Sequence, residues 1–138
     1  MAGYSGTPLV GKLGIRPNEK IVALNPPANY AALLDGLPDG ALITKRLMAK
    51  TRFVHLFVTR RVELAKRLSA LRTTLDEAGI LWISWPKKAS KVPTDITEDT
   101  IREVALPLGF VDVKVCAVDE TWLGLKLMIR RTERETRA

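Results

Sequence analysis

Apolar residues in this chain fall into short runs with two different rhythms. Residues 20–25 (KIVALN), 53–59 (FVHLFVT) and 80–85 (ILWISW) are nearly continuous and are closed by turn signals, which suits strands buried on both faces. Pro26-Pro27 stops the first run and Pro86 the third. Between the second and third, Leu64, Leu68, Leu71, Leu75 and Ala78 recur at alternating steps of four and three. That spacing puts them on one stripe and predicts a helix over 61–78, with Gly79 as its C-cap.

The remaining elements are shorter. Thr7-Pro8 opens a helix whose stripe is Leu9, Val10 and Leu13 and whose stop is Gly14. Pro17-Asn18 and Pro38-Asp39-Gly40 are turns. Asn29 is placed to cap a short helix through Tyr30, Ala32, Leu33 and Leu34, and Ala41–Thr44 follows as a short strand. Asp95 and Glu98 resemble a capping box ahead of Ile101, Val104, Ala105 and Leu108. Near the end, Val111, Val113 and Val115 alternate with Asp112 and Lys114. Leu123, Leu125, Leu127 and Ile129 alternate with Gly124, Lys126 and Met128. Alternation predicts strands with one wetter face, and residues 118–121 join them as a hairpin. Buried strands separated by helices imply an α/β fold: a three-layer sandwich on a mostly parallel sheet of about six strands, closed by a C-terminal antiparallel strand. Residues 1–131 read as a single domain and 132–138 as a frayed polar tail.

Composition narrows the function classes. The 138 residues are 46% apolar, too many for a disordered chain and enough for one domain with a real core. No apolar run approaches the roughly 18 residues of a membrane span, and the N-terminus lacks the apolar stretch of a signal peptide. One Cys and one His exclude an internal disulfide and a zinc ligand set. A bacterial-style cytosolic domain without a metal is expected. The net charge of +7 is unevenly placed: Lys45–Arg72 holds nine cations against one carboxylate, Glu63. The rest of the chain carries 13 cations and 14 acids. Such asymmetry favours an anionic partner, either a small molecule, an acidic protein or nucleic acid.

Residues 53–131 resemble the C-terminal half of a class I, Rossmann-like methyltransferase. The resemblance lies in FVHLFVT, the amphipathic helix, GILWISW, a helix, GFVDVKV at 109–115 and the closing WLGLKLMIRR. It implies that fold and, with it, S-adenosylmethionine as cofactor. The first half departs from the pattern. The Gly-rich turn after the first strand is replaced by Asn25-Pro26-Pro27-Ala28-Asn29, where proline offers no N–H and cannot take a positive φ. The acidic residue that closes the second strand is replaced by Thr44-Lys45-Arg46. Over nearly its full length the chain also resembles a family of small, uncharacterised bacterial proteins, through AGYSGTPL at 2–9, WPKK at 85–88 and CAVDETWLGLK at 116–126.

In open α/β sheets ligands bind beyond the C-terminal strand ends, near the switch in strand order. The three buried runs end at Asn25, Thr59 and Trp85, so the expected ligand-binding set is Asn25, Arg60, Arg61, Trp85, Lys87 and Lys88. Arg60 and Arg61 start the predicted helix, where backbone N–H groups and the dipole add to the field. Trp85 offers a stacking face or a core plug. His55, mid-strand beside Phe53 and Phe57, reads as structural, as does Cys116, and no catalytic residue is assigned. Asp119 and Glu120 read as a solvent-exposed hairpin loop, with a structural cluster of Asp119, Trp122 and Lys126 at the sheet end as the alternative, and Tyr4-Ser5 reads as a candidate lid. The resulting expectation is binding of an anionic small molecule or partner without robust catalysis and without a cofactor. A reduced S-adenosylmethionine-dependent methyltransferase is the alternative. A nucleic-acid-binding module built on 45–72 is the third.

Overall fold

The computed structural model describes residues 7–134. The candidate lid at Tyr4-Ser5 lies outside them. Six strands form one sheet: β1 (Lys20–Leu24), β2 (Leu42–Thr44), β3 (Thr51–Phe57), β4 (Leu75–Pro86), β5 (Phe110–Ala117) and β6 (Trp122–Ile129). The spatial order is β2-β1-β3-β4-β6-β5. β2, β1, β3 and β4 pair in parallel, and β6 runs antiparallel between β4 and β5. The fold is therefore α/β and Rossmann-like, with the mostly parallel sheet and antiparallel strand that the pattern predicts.

Alternate residues of the inner strands feed two cores, one on either side of the sheet. Val54, Leu56, Leu81, Ile83, Trp85, Leu125 and Leu127 face α3 (Arg61–Thr74) and α4 (Glu98–Ala105). Ile21, Ala23, Phe53, Phe57 and Trp82 face α1 (Leu9–Leu13) and α2 (Tyr30–Leu33). At roughly 25 cal/mol per Å² of apolar surface buried, these two layers are the main source of stability.

Helix α3 ends at Thr74, four residues short of the predicted Ala78. Leu75 turns extended yet stays buried, so the stripe of leucines continues into β4 without helical backbone. The last helical carbonyl, that of Thr74, accepts the Lys50 N–H at 2.7 Å, which commits it to the approach of β3. Gly79 is accordingly no C-cap and lies inside β4. A Cβ there would stand 2.9 Å from the Asp76 carbonyl and 3.1 Å from that of Arg52, so the irregular pairing of β3 with β4 needs glycine.

Two further expectations are corrected. The cap of α4 is Thr97, which forms a reciprocal box with Thr100; Asp95 and Glu98 do not make it. In β5 the three valines do not share a covered face: Val111, Val113 and Val115 are each more than a third exposed. The register slips between Asp112 and Lys114. Arg102 on α4 holds Asp112 at 2.9 Å, while Glu98 and Asp99 hold the same guanidinium from its own helix. This fixes the parity of β5 before the slip, and Arg102 keeps the Asp112 carboxyl below its ordinary pKa. After β6, residues 131–133 form a 3-10 turn, and Arg134 Nε donates to the Ile129 carbonyl at 3.0 Å.

Candidate functional site

The strand order reverses between β1 and β3, and a cleft of about 410 Å³ opens at their C-terminal ends. Its lining is Asn25, Phe57, Val58, Thr59, Arg60, Glu63 and Trp122. Asn25 follows β1 directly with φ of 55°, a left-handed conformation that Asn tolerates better than most side chains. The chain thus makes its tight turn before Pro26 without glycine. Phe57 is the buried last residue of β3, and its ring meets Trp122 edge-on with centroids 5.0 Å apart. Arg60 is exposed at the start of α3, and its guanidinium pairs with no carboxylate among the described residues. Glu63 is drawn toward Arg67 at 3.6 Å.

The structure brings together two of the six expected ligand-binding residues, Asn25 and Arg60. Arg61 turns away to Glu103 at 3.2 Å. The N-terminus of α3 is already occupied: Arg61 N–H donates to the Asp95 carboxylate at 2.6 Å. Thr94 and Asp95 also bond the Thr59 carbonyl, which clamps the loop after β4 onto the first turn of α3. The protein's own carboxylate therefore takes the position that helix dipoles offer to anions. Trp85 is 3% exposed among the leucines under α3 and α4, a core plug with no face toward the cleft. Lys87 and Lys88 do not line the cleft; Lys87 N–H donates to the Thr121 carbonyl and Lys88 begins a 3-10 turn.

Trp122, read from the sequence only as part of a structural cluster at the sheet end, supplies an aromatic face to the cleft that the expected ligand-binding set does not include. In a parallel sheet the C-terminal edge is reached by strand ends, but β6 is antiparallel and brings its first residue there, opposite Pro86. The Asp119 carboxylate accepts the Thr121 and Trp122 N–H groups, both at 2.8 Å, and so sets the entry of that strand.

Below the cleft lies a sealed polar chain. Tyr30 Oη and His55 Nδ1 are 2.7 Å apart, as are His55 Nε2 and Ser84 Oγ. His55 and Ser84 are fully buried and Tyr30 nearly so. Burial lowers the His55 pKa to about 3 and pushes the Tyr30 phenol above its ordinary value. The imidazole is neutral, with one nitrogen donating and the other accepting. The three residues have the order of a nucleophile, base and orienting group, but a substrate cannot reach a serine with no exposed surface. Cys116 is half-buried, and burial raises its thiol pKa, which opposes the thiolate form. Among the described residues no group of three His, Cys, Asp or Glu side chains could hold a metal ion, and no helix is long and apolar enough to cross a membrane.

Comparison with solved structures places the fold. The chain is similar to a SAM-dependent methyltransferase from Aquifex aeolicus, with a TM-score of 0.64 and 13% identity over 88% of this chain and 87% of that one. It is also similar to a ribosomal protein L11 methylase from Lactobacillus delbrueckii (TM-score 0.55, 13% identity, 89% and 76% covered). Aeropyrum pernix fibrillarin, solved with natively bound S-adenosyl-L-methionine, matches with a TM-score of 0.59 and 11% identity over 91% and 70% of the two chains. At such identities the likeness is one of fold. No protein-family model and no curated protein matches the chain, so the resemblance to a family of small uncharacterised bacterial proteins gains no support.

Proposed function

We propose that this methyltransferase-fold protein binds a small anionic ligand with an aromatic ring in the cleft at the ends of β1 and β3. The observation that carries this is the placing of the Arg60 guanidinium, which has no ion-pair partner among the described residues, beside the Phe57–Trp122 aromatic wall at the switch point, with Glu63 of the same lining drawn toward Arg67. Guanidinium forks hold phosphate or carboxylate, and an aromatic wall takes a planar ring. The reading assigns binding and no catalytic residue.

A second reading, S-adenosylmethionine-dependent methyl transfer, is favoured by the solved structures similar to this chain. The residues present do not fit that cofactor. Pro26 and Pro27 remove two N–H donors from the turn after β1, and the end of β2 offers Lys45 and Arg46 where a ribose diol calls for a carboxylate.

Calorimetric titration separates the two. Adenosine 5′-monophosphate is expected to bind saturably, with affinity at least tenfold weaker in Arg60→Ala and an unchanged Tm. Micromolar binding of S-adenosylmethionine with no response to the monophosphate would establish the second reading instead.

A further inference from the structure

We infer that a second cleft, at the opposite edge of the sheet, is a binding site for a compact polyphosphate group. This cleft, of about 330 Å³, lies where β1 and β3 begin, and the segment linking β2 to β3 forms its outer wall. Four cations line it: Lys20, Arg46, Lys50 and Arg52. Among the described residues the single carboxylate in the lining is Glu19. Arg52 reaches Asp76 only at 3.9 Å. The side chains of Lys20, Arg46 and Lys50 have no partner among the described residues.

The wall is ordered by its own hydrogen bonds. Arg46 N–H donates to Thr44 Oγ1 at 3.1 Å, and the Thr51 hydroxyl both donates to the Met48 carbonyl and accepts the Met48 N–H. Lys50 sits at φ of 61° with its N–H on the Thr74 carbonyl. Both ends of the segment are thus pinned, so its backbone needs little further ordering, and the cost left for a ligand is that of the Lys and Arg side chains. Convergent like charges repel one another, and a bound polyanion relieves that repulsion.

The geometry selects among anions. A pocket of this size is at the small end of ligand sites. Its cations converge on one concavity, while polynucleotide binding needs an extended track. None of its described lining residues is aromatic, and stacking platforms are what single-stranded nucleic acids use. Arg46 and Arg52 can each grip phosphate oxygens in a fork, with Lys20 and Lys50 as point charges, which suits two linked phosphates better than one.

The test uses the full chain with inorganic pyrophosphate, orthophosphate and ADP in isothermal titration at 0.1 M salt. Pyrophosphate is expected to bind saturably and at least tenfold more tightly than orthophosphate. Lys20→Gln with Arg46→Gln should weaken it at least tenfold without changing the Tm of the ligand-free protein. Arg60→Ala should leave pyrophosphate binding unchanged, which separates this site from the aromatic cleft whatever that cleft binds. ADP competing with pyrophosphate would identify the source as a nucleotide; ADP failing to compete would identify free pyrophosphate, and either supports the site. Absence of saturable pyrophosphate binding would overturn the inference. So would equal weakening by Arg60→Ala, or binding of a 12-nucleotide RNA in place of pyrophosphate.

Discussion

His55→Ala is expected to lower the unfolding free energy by about 3–5 kcal/mol, through loss of a buried ring and the stranding of two polar partners. Tyr30 Oη and Ser84 Oγ each have the imidazole as hydrogen-bond partner, and both are buried. The same ring stacks on Phe57 with centroids 4.3 Å apart and meets Tyr30 edge-on at 5.3 Å. Removing it therefore opens a void against α2, β3 and β4 together. Urea denaturation followed by tryptophan fluorescence measures the loss; a change below about 1 kcal/mol would show that the network is dispensable. The wild type should also lose stability as pH falls. The folded pKa of about 3 lies below the unfolded value of 6.5, so the unfolded state binds the proton first. The native state's advantage is full above pH 6.5 and shrinks on acidification toward pH 3, by about 1.4 kcal/mol per pH unit. Between pH 6.5 and 5, before ordinary carboxylates titrate, about 2 kcal/mol should disappear, and this slope should be absent from His55→Ala.

Trp82→Ala is expected to cost about 3–5 kcal/mol and to loosen α1 in particular. The Trp82 indole is fully buried, and its Nε1–H donates to the Leu13 carbonyl at 3.1 Å. That bond ties the last residue of a five-residue helix, too short to hold itself together, to the central strand β4. The indole also packs close to Gly124 of β6, where a Cβ would come within 3.2 Å of the ring. Hydrogen exchange should show the amides of residues 10–15 losing protection beyond the global change. Uniform loss across the sheet would contradict this anchoring role.

Much of the fold is legible in the sequence because the strands are marked by burial. KIVALN, FVHLFVT and ILWISW each contain the core of β1, β3 and β4, and alternation marks β6. His55 falls, as expected, among Phe53 and Phe57. The end of α3 is not legible, because Leu75 prolongs the helical stripe as the first residue of a strand, and only the tertiary bond from Lys50 to Thr74 reveals the break. The parity of β4 is likewise hidden: a run apolar on both faces does not say that Trp82 looks toward α1 and Trp85 toward α3. Asn25 and Arg60 could be placed because they follow parallel strands. Trp122 reads as an end-of-sheet residue but not as part of the cleft, since the order of strands decides that β6 brings its first residue to that edge. Asp95 was legible as a capping residue but not as the cap of α3, which lies more than thirty residues earlier in the chain.

The slip in β5 has a consequence for how copies of this protein meet. Sheets grow by adding strands at straight edges with free N–H and C=O groups. Here one outer edge is β2, three residues long and followed at once by Lys45 and Arg46. The other is β5, whose exposed valines would invite a neighbouring chain, but the irregularity between Asp112 and Lys114 breaks its ladder midway and sets a charge on either side. A strand added at either edge would find no more than a few consecutive bonding positions, and such interruption is what disfavours edge-to-edge growth of a sheet that displays β-branched surface at its margin.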